Sequence, residues 1–413
     1  MIYKSTLIAL ITAFALLFFW GCNKEDNPVK ESTNQQEITS DNSIASANIM
    51  RKIVVLRKGV GQNSVAALVN TKGGKVHKQY TIINAMSIRL PEKASEKALA
   101  AITKHADVLR IDNDIVVSAP PPGKKPPKDP PEPPPTEVIP WGIDRIDADL
   151  AWDDVYGGVS SVVTIKVGIL DTGIDLDHPD LQDNIATGIN IISTRKNEND
   201  DNGHGTHVAG TIAAVDNEIG VIGVAHQVSL YGVKVLDRKG NGYLSDLISG
   251  LEWCVNNNID VINMSLSATV DEQSFHDAIM ATYNAGITMV CAAGNDYGSV
   301  AYPAKYSETI AVSATDINDA FASFSNKGPE IDVAAPGVNI YSTYKGDAYK
   351  TYSGTSMASP HVAGVAALII AKYSLSPDAV KTHMSNTAEN IGLTSDQQGA
   401  GLIDAENAVN TTP

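Results

Sequence analysis

The sequence predicts an α/β fold with a parallel sheet covered by helices on both faces, preceded by a small α+β domain. After residue 136, apolar runs that suit buried strands alternate with helical stretches, which is typical of a parallel sheet between two helical layers. Before residue 120, strand-like and helical stretches follow the order β-α-β-β-α-β, which is typical of a ferredoxin-like open-faced sandwich. A proline-rich segment separates the two parts.

The composition excludes several classes of protein. The chain has 413 residues, of which 43% are apolar and 19% are charged, and its net charge is −16. The apolar fraction excludes global disorder, and the length suits two or three domains. Its three cysteines are too few for a disulfide scaffold or a Cys-rich zinc module. The negative net charge argues against nucleic acid as a partner.

Residues 1–22 are predicted to be an export signal. Lys4 precedes an apolar run, Leu7 to Trp20, that is too short to cross a bilayer comfortably. The run ends at Gly21-Cys22, which resembles a bacterial lipoprotein signal with Cys22 as the lipidated residue. Ordinary secretion with an unmodified Cys22 is the alternative. We therefore expect that the protein is exported and that it is a cell-surface or outer-membrane lipoprotein before processing. We also expect that processing releases the mature protein by secretion.

The next segments divide the chain into domains. Residues 23–50 are polar and aperiodic, which predicts a flexible tether. Residues 51–119 form the small basic domain, with 12 Lys and Arg against 5 Asp and Glu. Residues 120–135 contain 10 prolines and predict an extended linker. Residues 136–413 form the large acidic domain, with 13 basic and 35 acidic residues.

The boundaries of the predicted elements follow the apolar patterns. In the basic domain the strands are Lys52–Leu56, one or two within Val76–Leu90, and Val108–Val117, and the helices are Ser64–Val69 and Glu92–Lys104. In the acidic domain the strands include Val163–Leu170, Val228–Leu236, Val261–Ser265, Thr288–Ala293, Thr309–Ala314 and Ile331–Ala334. The helices include His207–Ala214, Leu244–Asn256, Ser274–Asn284 and Val362–Ala371. Sites in such sheets form at the carboxyl ends of the strands.

Three polar residues interrupt this apolar texture at the ends of predicted elements. Asp171 follows a strand in DTGID, His204 opens the helix that begins HGTHVAG, and Ser356 lies in SGTSMASPHVAG before a helix. A serine nucleophile needs a base, and a histidine base needs a carboxylate to hold its tautomer. Each residue taken alone also has a structural explanation: Asp171 suits a turn, His204 a buried core histidine, and Ser356 a helix N-cap. A zinc site at His204 and His207 is disfavoured because no third ligand follows at a suitable spacing.

Together, DTGID, HGTHVAG and GTSMASPHVAG in this order resemble the subtilisin-like serine proteases, or subtilases, and the likeness extends from Ile139 to Asp404. The resemblance implies a serine endopeptidase that acts on polypeptides through an Asp-His-Ser triad and an acyl-enzyme. It also implies an oxyanion role for Asn295. Two alternatives remain, a catalytically silent surface protein that binds peptides and a calcium-dependent structural module.

The resemblance implies further sites. Substrate is expected to bind as an added strand; the segments assigned to it are Gly240-Asn241-Gly242, Ser265-Leu266-Ser267 and Ala292-Ala293-Gly294. A structural calcium site is implied, with Glu137, Asp180 and Asn217 contributing side chains and Val215, Ile219 and Val221 contributing carbonyls. A second, weaker cation site is implied near Ala304, Tyr306 and Asp332.

The basic domain resembles the inhibitory prodomain that precedes subtilases, which implies a self-processed zymogen. Its positive charge and the negative charge of the acidic domain favour association in cis. The resemblance places the cut near Val117–Ala119 or near Thr136–Glu137. A monomer is expected.

Overall fold

The structure is a computed structural model that describes residues 49–119, 136–156 and 164–413. The predicted signal segment, Cys22 and the proline-rich linker lie outside these residues. Of the predicted tether, only Ile49 and Met50 are described, and they already belong to the first strand.

The basic domain has the predicted β-α-β-β-α-β order. Its elements are β1 (Ile49–Leu56), α1 (Asn63–Thr71), β2 (Lys75–Tyr80), β3 (Ala85–Pro91), α2 (Ser95–Thr103) and β4 (Val108–Asn113). The four strands form an antiparallel sheet in the order β2-β3-β1-β4. The predicted helix from Glu92 begins as a single 3-10 turn, Glu92–Ala94. Val54, Met86 and Ile102 are among the residues buried between the sheet and the helices.

The prediction of a single last strand in the basic domain is wrong. The run Val108–Val117 does not form one strand, because β4 ends at Asn113 and a separate strand, β5 (Val116–Ser118), leaves the sheet. The break occurs at Asp114, whose carboxylate accepts hydrogen bonds from Arg51 and from the backbone N–H of Ser245 in the acidic domain. β5 pairs with the acidic domain instead.

The acidic domain contains the remaining elements. Its helices are α3 (Trp141–Arg145), α4 (Ala148–Tyr156), α5 (His204–Ala213), α6 (Leu244–Asn256), α7 (Gln273–Asn284), α8 (Thr355–Tyr373), α9 (Pro377–Thr387), α10 (Ser395–Gln398) and α11 (Ala405–Asn410). Its strands are β6 (Lys166–Asp171), β7 (Ile185–Asn190), β8 (Ser229–Lys234), β9 (Asn241–Tyr243), β10 (Val261–Met264), β11 (Thr288–Ala292), β12 (Ile310–Thr315), β13 (Val333–Pro336), β14 (Ile340–Tyr344) and β15 (Ala348–Tyr352).

Seven of these strands form the predicted parallel sheet, in the order β13-β12-β11-β10-β6-β8-β7. Alternate residues point to opposite faces of a strand. Thus Val167 and Ile169 of β6 pack in one apolar cluster with α5 and α8, whereas Leu170 packs in a second cluster with α6 and α7. The prediction of helices on both faces is confirmed.

The strand order places a crevice at the carboxyl end of β6. The chain passes from β6 to β7 and β8 on one side, and then crosses to β10 on the other side. Loops that leave adjacent strands in opposite directions open a crevice at such a switch point, where ligands of open α/β sheets bind.

Among the described residues, no single helix is long and apolar enough to cross a membrane. The helices α8 and α9 reach that length and apolar character only when they are taken together, and the chain bends by 110° between them.

Candidate active site

Asp171 and His204 form a buried hydrogen-bonded pair in this crevice. Asp171 is the last residue of β6, and His204 is the first residue of α5. The Nδ1 atom of His204 lies 2.8 Å and 2.9 Å from the two carboxylate oxygens of Asp171, which is fully buried. The Nε2 atom of His204 is buried and has no hydrogen-bond partner among the described residues. The carboxylate therefore fixes Nδ1 as the protonated nitrogen, and Nε2 is left as a base.

The start of α5 is held by residues that the sequence analysis did not identify. Asp200 accepts the N–H groups of Asn202 and Gly203 with one oxygen, and the N–H and hydroxyl of Thr206 with the other. Gly203 has φ 110°, and a Cβ atom there would collide with the ring of Tyr344. Only glycine fits this position, which fixes the turn into the helix immediately before His204.

Two opposing effects act on the pKa of His204. Burial opposes the charged imidazolium, but the charge and hydrogen bond of Asp171, together with the charge of Asp200, outweigh it and raise the pKa. The imidazole is therefore a stronger base than an ordinary histidine.

Ser356 lies at the start of α8, the helix that packs against α5. The residue before the helix is Gly354, so Ser356 is not the helix cap, and that alternative is wrong. The hydroxyl of Ser356 lies 3.4 Å from the carbonyl oxygen of Ser265, while the hydroxyl of Ser265 donates to the carbonyl of Ser356 at 2.8 Å. The hydroxyl is thus turned toward Ser265 and makes no hydrogen bond to Nε2 of His204; such bonds are often absent until substrate is bound.

Asn295 lies beside Ser356 in a fixed orientation. Its side-chain oxygen accepts the backbone N–H and the hydroxyl of Thr355 at 2.9 Å and 2.8 Å. Its amide nitrogen therefore faces the other way. The position that a Cβ atom on Gly354 would occupy lies 3.1 Å from this nitrogen and 3.7 Å from the backbone nitrogen of Ser356. Two nitrogens that can donate hydrogen bonds thus lie beside Gly354, and one of them is the backbone nitrogen of Ser356.

The segments assigned to substrate binding lie on either side of β5. Val116, Val117 and Ser118 pair antiparallel with residues 243, 242 and 241. On its other edge, Ser118 exchanges two backbone hydrogen bonds with Ser267, of 3.0 Å and 2.8 Å. Ala119 donates to the carbonyl of Gly240 at 2.9 Å. The chain's own segment therefore lies as the middle strand between the two predicted edges.

The other predicted residues of the cleft adjoin this strand or the side chain of Thr355. Leu266 is fully buried in the apolar cluster that also contains Val117. Ala292 ends β11, Ala293 donates to the carbonyl of Val312 at 3.0 Å, and Gly294 donates to the hydroxyl of Thr355 at 3.1 Å. Gly294 and Asn295 thus both form hydrogen bonds with the side chain of Thr355.

The predicted calcium ligands gather away from the cleft. The buried carboxylate of Asp180 accepts the side-chain amide of Asn217 at 3.0 Å and the backbone N–H of Val221 at 2.9 Å. The carboxylate of Glu137 accepts the backbone N–H of Asn217 at 2.7 Å. Val215 donates its N–H to the carbonyl of Asp180 at 3.0 Å.

The charges of these residues are compatible with a bound cation. Among the described residues, no Lys or Arg forms an ion pair with Asp180 or Glu137. Burial raises the pKa of Asp180, and burial together with the charges of Asp216 and Asp180 raises the pKa of Glu137. The described residues contain no cluster of three or more His, Cys, Asp or Glu side chains suited to a metal. A calcium ion would therefore depend on carbonyls, including those of Val215, Ile219 and Val221, and on the side-chain oxygen of Asn217, which here accepts the backbone N–H of Ile219 at 2.7 Å.

Comparison with known proteins agrees with this architecture. A sequence profile described as the subtilase family matches residues 163–401, more than half of the chain. Subtilisin DY of Bacillus licheniformis is 48% identical over 278 residues, which cover 66% of this chain and 99% of that protein. Subtilisin E of Bacillus subtilis (strain 168) is 38% identical over 414 residues, which cover 98% of this chain and 99% of that protein.

A thermostable alkaline protease of Halalkalibacterium halodurans is 48% identical over 276 residues, covering 66% of this chain and 74% of that protein. The match to subtilisin E includes the basic domain as well as the acidic one, because it spans nearly the whole chain. The chain belongs to the subtilase family of serine endopeptidases.

Proposed function

We propose that this endopeptidase cleaves peptide bonds by acyl transfer through Ser356, with His204 as general base and Asp171 as the group that orients and stabilises it. The observation that supports this most is the pairing of Asp171 with Nδ1 of His204, which leaves Nε2 free. In this proposal the Ser356 side chain turns away from Ser265 when substrate binds, so that its hydroxyl donates to Nε2.

The proposed reaction has two halves. Nε2 takes the proton of Ser356 as its oxygen attacks the substrate carbonyl, and then gives that proton to the leaving amine. Water enters, loses a proton to Nε2 and attacks the acyl-enzyme, after which the proton returns to the oxygen of Ser356. The charge on Asp171 stabilises the imidazolium that forms in both halves.

The oxyanion that forms in each half is stabilised, in this proposal, by the side-chain amide of Asn295 and the backbone N–H of Ser356. Both nitrogens border the space beside Gly354, and Thr355 holds the Asn295 amide in the required orientation. The start of α8 adds the favourable end of a helix dipole.

Asn295→Ala is expected to lower kcat by about 10²–10³-fold with little change in KM, because the lost donor acts on the transition state. That range comes from a subtilisin oxyanion donor. Steady-state hydrolysis of a chromogenic peptide measures the effect, and Asn318→Ala, at an exposed turn, is the matched control. A loss confined to KM would contradict the assignment.

A covalent fluorophosphonate probe distinguishes the enzyme from a silent peptide-binding protein. The probe reacts with activated serines, so we expect peptide mapping of the labelled protein to place it on Ser356. A folded protein that binds peptides but takes up no probe would instead support the silent alternative.

We further propose that residues 51–119 act as an inhibitory prodomain in cis. Its charges face opposite charges on the acidic domain: Lys78 binds Asp246 at 2.7 Å, and Arg110 binds Asp277. Glu252 accepts the N–H groups of Thr81 and Ile82. These contacts support a docked domain whose segment β5 fills the cleft.

The register of β5 also bears on processing. Ser118 lies opposite Ser267, two residues beyond Ser265, whose carbonyl adjoins the Ser356 hydroxyl. Ser118 is the described residue of β5 that pairs with this edge, and it pairs with Ser267 rather than with Ser265. A cut within Val117–Ala119 therefore does not suit this register, and we propose that processing occurs beyond Ala119.

We propose that calcium binds at Asp180, Asn217 and Glu137 and stabilises the fold. A chelator is then expected to lower the midpoint of thermal unfolding, because a ligand that binds only the folded state stabilises it by about 2.7 kcal/mol at 100 times its Kd. Asp180→Asn should abolish the response and the exposed Asp183→Asn should retain it. An unchanged midpoint on chelation in the parent protein would contradict the site.

Export remains a proposal that rests on the sequence of residues 1–22. The positive Lys4, the short apolar run and Gly21-Cys22 support a lipoprotein-type signal with Cys22 as the lipidated residue. If Cys22 is anchored, processing beyond Ala119 separates the acidic enzyme from the membrane. The monomeric state also stays a prediction.

A further inference from the structure

The second, weaker cation site implied near Ala304, Tyr306 and Asp332 does not fit the structure, because a lysine ammonium already binds Asp332 and the carbonyls of two residues that follow Tyr306. The Nζ atom of Lys381, on α9, is 3.0 Å from a carboxylate oxygen of Asp332. It also donates to the backbone carbonyls of Thr309 and Ser307 at 2.8 Å and 3.1 Å. We call these three oxygens and the ammonium the Lys381 site.

The Lys381 site satisfies the ammonium completely. A lysine ammonium has three N–H donors, and here three acceptors lie within hydrogen-bond distance. The three acceptors are two backbone carbonyls and one carboxylate, and hard cations prefer oxygen ligands of this kind. Both side chains are largely removed from solvent, with 26% of Lys381 and 18% of Asp332 exposed.

The oxygens are held in place independently of the lysine. The Thr309 backbone N–H and hydroxyl both donate to the carbonyl of Tyr306, at 3.1 Å and 3.0 Å, which fixes the turn. The bound oxygen of Asp332 also accepts the backbone N–H of Ala311 at 2.8 Å. A site whose oxygens are already fixed can accept another cation when its own is removed.

The charge balance agrees with one bound cation. Burial raises the pKa of Asp332, while the charge of Lys381 acts in the opposite direction. Among the described residues, Lys381 is the only Lys, Arg or His that forms an ion pair with Asp332. Removal of the ammonium thus leaves a partly buried carboxylate and two carbonyls without a cation.

We propose that the Lys381 ammonium is a built-in substitute for a bound metal ion, which joins α9 to the turn 303–309 and to the start of β13. The oxygens it occupies would otherwise take a hard monovalent cation such as K⁺ or Na⁺. This part of the fold is therefore independent of added cations, in contrast to the calcium site proposed at Asp180.

The test uses the full chain with Ser356→Ala, which prevents self-digestion, in saturating calcium. Thermal unfolding is followed while KCl replaces choline chloride at constant ionic strength. In the parent, the midpoint should not respond to K⁺. Lys381→Met should lower it by about 3–5 °C in choline chloride, and K⁺ should restore it saturably. Lys372→Met, at an exposed lysine at the end of α8, should behave like the parent.

Two further variants make the result specific. Adding Asp332→Asn to Lys381→Met should abolish the response to K⁺, because the charged ligand is gone. Lys381→Gln, which retains most of the side-chain length, replaces the methionine variant if that variant does not fold. An equal saturable response in the parent, or none in either Lys381 variant, would overturn the proposal.

Discussion

Ser356→Ala is expected to lower kcat by about 10⁶-fold, the magnitude known for loss of the nucleophile in a subtilisin. The substitution removes only one oxygen, which makes a single long contact to the Ser265 carbonyl. Folding should therefore be preserved, with a thermal midpoint near that of the parent. Hydrolysis of casein and of a chromogenic peptide measures the loss.

Ser353→Ala is the matched control for this variant. Ser353 lies three residues earlier, and its hydroxyl accepts the backbone N–H of Asn339 at 2.8 Å, outside the cleft segments. Activity should change little in this control. A Ser356→Ala protein that is folded and retains more than a small fraction of its activity would contradict the proposed nucleophile.

Reversal of one charge in the basic domain is expected to release β5 from the cleft. Lys78 and Asp246 are 18% and 9% exposed and lie 2.7 Å apart, so Lys78→Glu places two carboxylates together in a largely buried contact. Removing one partner of a buried pair costs about 3–5 kcal/mol, and partial exposure reduces this. The docking equilibrium should weaken by about 10- to 100-fold.

Hydrogen exchange of residues 115–119 measures this weakening in the full chain with Ser356→Ala. The amides of Ser118 and Ala119 are protected by bonds to Ser267 and Gly240, so they exchange when the strand leaves the cleft. Lys97→Glu makes the same charge change at an exposed position of α2 and should leave exchange unaltered. Equal protection in both variants would show that Lys78 does not hold the domain in place.

The sequence predicted the regular parts of the fold because their signals are local. The continuous apolar runs of β10, β11 and β12 indicate strands buried on both faces, and the predicted helix Leu244–Asn256 coincides with α6. The apolar run His207–Ala214 begins three residues after α5 does, because His204-Gly205-Thr206 has no apolar periodicity; only the motif HGTHVAG indicates a helix that begins at His204. That start depends on the carboxylate of Asp200.

Features that depend on distant partners were not predictable in the same way. Nothing in the run Val108–Val117 indicates that Asp114 binds Ser245, 131 residues later, and so divides the run into β4 and β5. Lys381 shows no local pattern either, because its acceptors lie 49 to 74 residues away in the sequence. Short motifs identified Asp171, His204 and Ser356, but their mutual geometry required the fold.

The pH dependence of kcat/KM, in the parent and in Asp171→Asn, tests most directly whether the three residues act as one unit. Nε2 of His204 must be neutral to accept a proton, and Asp171 raises the pKa of His204, so parental activity should rise with pH through a midpoint above 6.5. Asp171→Asn should lower the rate by about 10⁴-fold and move the midpoint to lower pH, because burial then acts unopposed by that charge. An Asp171→Asn enzyme with the parental midpoint and rate would contradict the account.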